Sequence, residues 1–117
     1  LVTGATGFIG HHTLAPLAAR GFEVHAVTSR PPTGLAEAPS DVAWHQADLL
    51  APGASRALLA RVKPSHLLHL AWYVVPGKLI TAPQNFDWVT ASLELLRAFA
   101  DAGGERITVC GSGYEYD

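Results

Sequence analysis

The sequence has 117 residues, of which 49% are hydrophobic and 15% are charged, and its formal net charge is −2. A chain of this length can bury one packed core, which excludes two full domains and a largely disordered chain. This charge balance, with no cluster of lysine and arginine, excludes the basic surface that nucleic acids and anionic membranes require, so we expect neither partner.

Short β-branched segments alternate along the chain with longer segments rich in alanine and leucine. This alternation predicts an α/β fold with a doubly wound parallel sheet, in which ligands bind at the carboxyl edge of the strands. The predicted strands are residues 1–3, 23–28, 42–46, 66–71 and 106–111, and the predicted helices are residues 8–20, 55–62 and 86–102.

Three features of the composition bear on membrane insertion, on the cellular compartment and on the natural start of the protein. The longest apolar stretch, residues 67–75, is far shorter than the ~20 residues that span a bilayer. Cys110 is the single cysteine, so we expect no disulfide and a reducing, cytoplasmic compartment. The sequence contains no methionine, so we expect the natural start of the protein to lie upstream of Leu1.

Residues 3–10, TGATGFIG, join the first predicted strand to the first predicted helix, with Gly4, Gly7 and Gly10 at every third position. Gly4 permits a sharp turn, Gly7 lets a diphosphate approach the backbone, and Gly10 lets the helix pack closely on the strand. The free N–H groups at the start of the helix favour the same ligand. The segment predicts a dinucleotide site, with a structural turn or another nucleotide-like ligand as the alternative.

The end of the second predicted strand bears on the choice of cofactor. A carboxylate there accepts a hydrogen bond from the 2′-hydroxyl of NAD and repels the 2′-phosphate of NADP. This strand ends in Thr28, Ser29 and Arg30, with no acid. Arg30 can form charge-assisted hydrogen bonds to a phosphate and Ser29 can add a hydroxyl, so NADP is favoured over NAD. The alternative is that Arg30 is an ordinary solvated residue.

The last predicted helix, residues 86–102, has an apolar arc about twice as wide as contact with one sheet needs. The surplus predicts a further covering surface, either another part of the same protein or a second subunit in a homodimer, and the alternative is an overlying loop. One stripe of the arc consists of Phe86, Val89, Leu93, Leu96 and Ala100, and the other of Trp88, Ser92, Leu95 and Phe99.

In these features the chain resembles the extended short-chain dehydrogenase/reductase family of nucleotide-sugar epimerases, dehydratases and 4-ketoreductases. TGATGFIG matches the family's fingerprint, and Asp48-Leu49, KPSHLLHLA (residues 63–71) and ITVCGSGYEYD (residues 107–117) resemble its third, fourth and fifth strands. The resemblance covers essentially the whole chain. It implies that residues 1–117 form part of an NAD(P)-binding Rossmann domain, with the remaining strands and the substrate-binding part outside this sequence.

The resemblance implies an enzyme that transfers hydride between the nicotinamide and a nucleotide-linked sugar. Ser112, four residues before Tyr116, matches the family's active-site serine, which binds the reacting oxygen of the substrate. An ordinary loop serine is the alternative. With the residues argued above, the expected cofactor contacts are Gly4, Thr6, Gly7, Phe8, Ile9, Gly10, Ser29, Arg30, Asp48, Leu49, Leu70, Ala71 and Trp72.

The sequence also departs from the family. The Tyr-x-x-x-Lys pair that supplies the catalytic base is absent, because neither Lys63 nor Lys78 follows a tyrosine by four residues. Trp88 stands where the family has an asparagine. We therefore expect an active full-length enzyme and an inactive 117-residue piece. The alternatives are a non-catalytic NADP-binding relative and an adenosyl-methionine-dependent methyltransferase, which shares the sheet and a glycine loop.

The six histidines do not predict a metal site. His11 and His12 are adjacent and face different sides of a helix, while His66 and His69 point to opposite sides of a strand. After the fourth strand, Trp72, Tyr73 and Lys78 lie in a predicted loop. There the aromatic residues and the lysine either contact substrate or serve as a packing anchor and a solvated charge.

Overall fold

The computed structural model describes residues 1–31 and 40–113. Strands and helices follow one another in the order that the sequence predicts, with no helix between the second and third strands among the described residues. In chain order they are β1 Val2–Thr3, α1 Phe8–Ala19, β2 His25–Thr28, β3 Ala43–Gln46, α2 Ala54–Val62, β4 His66–His69, α3 Gln84–Asp101 and β5 Arg106–Val109.

The five strands of the described residues form one parallel sheet in the order β3-β2-β1-β4-β5. Val2 pairs with Ala26 on one side and with Leu68 on the other, so β1 lies at the centre. The chain first builds outward from β1 through β2 and β3, then returns to place β4 beside β1. This reversal of strand order falls between β1 and β4, and ligands of open parallel sheets bind at the carboxyl ends of the strands at such a point. The predicted α/β class with a doubly wound parallel sheet is confirmed.

Alternate residues of the central strands bury on opposite faces of the sheet, as the period of two in a β-strand requires. Val2, Ala26 and Leu68 contribute to the core under α1, with the buried Leu14 of that helix. The core on the other face lies under α2 and α3 and consists of Leu1, Val27, Leu49, Leu58, Leu59, Leu67, Leu95, Ala98 and Phe99.

No boundary of an element differs from its prediction by more than two residues. The fourth strand ends at His69 rather than at residue 71, because the next two backbone N–H groups donate to the side chain of Thr3 instead of continuing the ladder. Helix α1 continues past Pro16 to Ala19, although proline cannot donate a backbone hydrogen bond.

Two apolar surfaces remain uncovered by the described residues. On α3, Ala91, Leu95, Ala98 and Phe99 bury, whereas Phe86 is 79% exposed and Leu93 is 62% exposed. All four residues of β5 are exposed, although this strand belongs to the sheet. The double-width apolar arc of the last helix therefore divides into one half that packs on the sheet and one half open to solvent.

Across residues 1–31 and 40–113, none of the helices combines the length and the apolar character needed to cross a membrane.

Candidate functional site

The predicted site residues come together at the carboxyl edge of the sheet, because all five strands are parallel and end at the same side. Gly4 follows β1, Ser29 and Arg30 follow β2, and Asp48 follows β3. Leu70 follows β4, and Ser112 follows β5. The parallel topology thus brings together, at one edge of the sheet, segments that lie more than 100 residues apart in the sequence.

The glycine turn after β1 is closely packed. Gly4 has a positive φ of 65°, and a side chain there would place its Cβ 2.8 Å from the backbone N of Ala71. The N–H of Gly7 donates to the carbonyl oxygen of Gly4 at 2.9 Å. At Gly10 a Cβ would overlap that same carbonyl and lie 2.8 Å from the Cα of Ala5. Gly4 therefore allows the turn, Gly7 leaves its backbone open, and Gly10 allows the helix to pack against it.

Beyond this turn the start of α1 is open to solvent. Thr6, Gly7 and Ile9 are exposed, and the side chain of Phe8 is 85% exposed. The first N–H groups of an α-helix have no acceptor within the helix, and they carry a partial positive charge. No acidic residue lies in the first turn and no side chain caps it. This end of α1 can therefore accept an anionic group such as a diphosphate.

At the end of β2 the buried side chain of Thr28 shapes the following turn. Its hydroxyl donates to the carbonyl oxygen of Arg30 at 3.0 Å and accepts from the N–H of Arg30 at 3.2 Å. These two bonds hold the backbone while the side chains of Ser29 and Arg30 project into solvent. An exposed guanidinium on a fixed backbone can bind a phosphate group.

The two residues predicted after β3 differ in what they offer a ligand. Asp48 is exposed, and its Oδ1 accepts a hydrogen bond from the N–H of Leu50 at 3.0 Å, which fixes a local turn. The side chain of Leu49 is only 5% exposed and packs in the core under α2 and α3. Asp48 is thus available to a ligand through its carboxylate, whereas Leu49 points inward.

Hydrogen bonds to β1 and to the start of α3 hold the residues after β4. The N–H groups of Leu70 and Ala71 donate to Oγ1 of Thr3 at 3.2 and 3.3 Å.

Farther on, Nε1 of Trp72 donates to Oδ1 of Asn85 at 3.1 Å. The Trp72 ring lies 6.4 Å from that of Trp88. Trp72 thus anchors its loop to the start of α3, which is one of the two roles considered for it, although its side chain remains exposed enough to touch a ligand.

The residues after β5 complete the edge. The N–H of Cys110 donates to the carbonyl oxygen of His69 at 3.1 Å, which ties the end of β5 to the end of β4. Ser112 follows and is exposed at this edge. Tyr116, the second residue of the serine motif, lies outside the described residues.

One buried contact at this edge was not expected from the sequence. His69 is 3% exposed, and its ring joins the hydroxyls of Thr3 and Ser92. Burial lowers the pKa of the His69 imidazole, because a charged ring would lose its hydration there. The sequence signal is a histidine at the end of the strand HLLH, which does not identify the partners of its ring.

Two further histidines, on β2 and β3, form a pair away from this edge. Nδ1 of His25 lies 2.9 Å from Nε2 of His45, and Nε2 of His25 lies 3.2 Å from Oε1 of Glu23. Burial, followed by the charges of His25 and Arg61, lowers the pKa of His45. Both nitrogens of His25 already face protein groups, and no cluster of potential metal ligands occurs among the residues that the structure describes.

A cavity of about 460 Å³ lies at the opposite, amino edge of the sheet, where Phe22, Val62 and Arg106 contribute to its lining. None of the predicted site residues lines it. The candidate site is therefore an open edge built from strand ends and the glycine turn, and not this cavity.

Comparisons with solved structures support the same architecture. A UDP-glucose 4-epimerase from Stenotrophomonas maltophila with bound NAD and formylated UDP-arabinopyranose is 28% identical, with a TM-score of 0.81 over 97% of this chain and 36% of that one. The Thermus thermophilus UDP-glucose 4-epimerase in complex with NAD is 28% identical, with a TM-score of 0.78 over 91% and 35%. MoeE5 in complex with UDP-glucose and NAD is 33% identical, with a TM-score of 0.76 over 99% and 37%.

The chain spans about a third of the length of these structures. A search of curated protein sequences found no match. A family profile, in contrast, matches all of residues 1–117. The glycine turn at the centre of a parallel sheet, the neighbouring structures and this profile agree, and the chain belongs to the NAD dependent epimerase/dehydratase family.

Proposed function

We propose that this chain is the cofactor-binding part of an NAD(P)-dependent epimerase, dehydratase or 4-ketoreductase that acts on a nucleotide-linked sugar. The observation that carries the proposal is the glycine turn. Gly4 and Gly10 are packed so closely that a side chain at either one would collide with backbone, while Gly7 and the start of α1 stay open. An open, positively polarised backbone surface at the reversal of strand order is suited to a dinucleotide.

The residues at this edge fit such a cofactor in chemical type. The backbone of residues 4–10 would hold the diphosphate, and Asp48 would lie near the adenine, as in the family that the chain resembles. Leu70, Ala71 and Trp72 would lie along the cofactor, and a bound nicotinamide would supply hydride transfer. The hydroxyl of Ser112 would donate a hydrogen bond to the reacting oxygen of the sugar. The proton-exchanging Tyr-x-x-x-Lys pair does not occur in these 117 residues.

A nucleotide-linked sugar is the proposed substrate class. Support comes from the neighbouring structures, which contain UDP-glucose or formylated UDP-arabinopyranose together with NAD. The cytoplasmic location expected from the single cysteine stays a prediction.

The experiment that tests this function is a titration of the full-length protein with NADH and NADPH, followed by an assay with UDP-glucose and UDP-galactose. We expect binding of a dinucleotide and conversion of a UDP-sugar. Absence of binding for both dinucleotides contradicts the proposal. Binding without turnover of any nucleotide-linked sugar identifies a non-catalytic relative instead.

We further propose that NADP is preferred over NAD. The support is local: no acid lies between Thr28 and Pro31, and Arg30 projects into solvent from a backbone held by Thr28. The named neighbouring structures contain NAD, so the preference rests on these residues alone.

Replacement of Arg30 by alanine tests this preference. Loss of a charge-assisted bond to the 2′-phosphate is expected to raise the Kd for NADPH about tenfold or more, and to leave the Kd for NADH within about twofold. The measurement is fluorescence titration of both dinucleotides. Arg20→Ala, which removes an exposed arginine at the end of α1, is the matched control. Equal losses for both dinucleotides would show that Arg30 does not read the 2′-phosphate.

We also propose that the protein forms a homodimer through the helix at residues 86–102. The support is the exposed apolar half of α3, with Phe86 and Leu93 mostly exposed and Val89 half exposed. An apolar stripe of this kind on a helix is commonly covered by another helix.

The substitution Leu93→Glu places a charge on that stripe and is expected to convert a dimer into a monomer, because an unpaired carboxylate in an apolar interface is strongly unfavourable. The measurement is sedimentation velocity of the full-length protein. Thr90→Glu, on the polar arc of the same helix, is the control and should leave the dimer intact. A monomeric wild-type protein, or a dimer that survives Leu93→Glu, contradicts this interface.

A further inference from the structure

Beneath the candidate cofactor edge, a hydrogen-bonded chain of three polar side chains runs from β1 through β4 to α3. Oγ1 of Thr3 lies 2.6 Å from Nδ1 of His69, and Nε2 of His69 lies 2.9 Å from Oγ of Ser92. Thr3 and His69 are both buried. The chain therefore connects β1, β4 and α3 through one imidazole ring.

The directions of these hydrogen bonds follow from the bonds that Thr3 already makes. Its hydroxyl oxygen accepts from the N–H groups of Leu70 and Ala71, and a hydroxyl oxygen has two lone pairs and one proton. With both lone pairs occupied, the hydroxyl must donate its proton to Nδ1 of His69. The 2.6 Å distance between Oγ1 and Nδ1 is short, as expected for an O–H donor. Nε2 of His69 must then carry the ring proton and donate it to Ser92.

The strand end that Thr3 holds is part of the candidate site. Beyond His69 the ladder between β1 and β4 stops, and the N–H groups of Leu70 and Ala71 would be unpaired without the Thr3 hydroxyl. The backbone of Ala71 in turn lies against Gly4, where an added Cβ would come within 2.8 Å of its nitrogen. The orientation of one hydroxyl thus sets the contact between the glycine turn and the end of β4.

We propose that His69 is a positioning residue for the cofactor site: its neutral Nε2–H tautomer accepts the Thr3 proton at Nδ1 and so directs the Thr3 lone pairs toward Leu70 and Ala71. The proposal rests on the proposed function, since it concerns the wall along which the dinucleotide would lie. His69 itself is buried below this wall and does not act as an acid or base on the substrate. Burial, which lowers the pKa of the ring, favours the neutral form that this arrangement needs.

The tautomer is measured directly by ¹⁵N NMR of the histidine side chains in the full-length protein, with His69 assigned from the signal lost in His69→Gln. We expect an unprotonated Nδ1 and a protonated Nε2 at neutral pH. A protonated Nδ1 could not accept a hydrogen bond from the Thr3 hydroxyl, and this result would overturn the proposal. This measurement does not depend on cofactor binding.

Two substitutions of His69 distinguish its bond with Thr3 from its bond with Ser92. His69→Asn keeps an acceptor oxygen near the place of Nδ1 and loses the contact with Ser92. His69→Gln carries its amide one carbon farther, near the place of Nε2, and loses the contact with Thr3. We expect His69→Gln to weaken NADH binding about tenfold, the size of one lost net hydrogen bond, and His69→Asn to stay within about threefold.

Ser92→Ala is the matched control, because it removes only the outer bond and should leave NADH binding close to that of the wild type. A purely structural role would instead lower thermal stability in both His69 variants and affect their NADH binding equally. Equal Kd values for the two variants, with a wild-type protein that binds NADH, overturn the positioning role alone. Failure of the wild-type protein to bind NADH overturns the proposed function and this role with it.

Discussion

Replacing Gly10 with alanine is expected to destabilise the protein by about 3 kcal/mol, the upper part of the usual range for overpacking a well-packed site. In most helices this substitution is favourable by up to about 1 kcal/mol, because alanine restricts the unfolded chain and propagates a helix better than glycine. Here the new Cβ would overlap the carbonyl oxygen of Gly4 and lie 2.8 Å from the Cα of Ala5. Both obstacles are backbone atoms of the turn, so the steric cost outweighs the gain in helix propensity.

The measurement is urea unfolding of the full-length protein, with Gly7→Ala as the matched control in the same turn. A Cβ at Gly7 would lie 3.2 Å from the same Gly4 oxygen, a tight contact but not the overlap that a Cβ at Gly10 would create. Gly7→Ala is expected to cost less than about 1 kcal/mol of stability while weakening NADH binding, since it narrows the approach of a diphosphate. A Gly10→Ala protein as stable as the wild type would contradict the close packing of α1 on the turn.

The sequence was sufficient to predict the architecture because local and long-range preferences agree in it. Each predicted strand and helix occurs in the structure, and the glycine spacing placed the turn between β1 and α1. Parallel pairing then required the predicted site segments to meet at one edge. What the sequence predicted less well were the ends of the strands. The end of β4 depends on a hydroxyl 67 and 68 positions away in sequence, and no local propensity reports such a bond.

Two other features were beyond the reach of sequence reasoning for physical reasons. The apolar arc of α3 was visible, but periodicity alone does not say which half packs, because Leu93 and Leu95 have the same hydrophobicity. The structure buries Leu95 and exposes Leu93. Similarly, His69 was placed on a strand but its hydroxyl partners lie 66 and 23 positions away, so their meeting is a product of the tertiary fold.

Ser112→Ala is expected to lower kcat for a UDP-sugar by about 100-fold, the effect of removing one hydrogen-bond donor from the reacting oxygen of a substrate. The serine lies at the carboxyl edge after β5, and the bond from Cys110 to His69 ties this segment to the strand beside the glycine turn. Its hydroxyl would stabilise the charge that develops on the oxygen as hydride leaves or arrives at the carbon. The proposed diphosphate and adenine contacts lie elsewhere on the edge, so the Kd for the dinucleotide should stay within about twofold of the wild-type value.

The measurement is steady-state turnover of the full-length protein with UDP-glucose or UDP-galactose, alongside NADH titration of each variant. Ser112→Thr is the matched control, since it keeps a hydroxyl at the same place and should retain far more activity than Ser112→Ala. Thermal unfolding of both variants checks that a change in kcat does not come from a less stable fold. A Ser112→Ala enzyme with wild-type kcat would make Ser112 an ordinary loop serine, and loss of NADH binding in the same variant would assign it to the cofactor instead of the substrate.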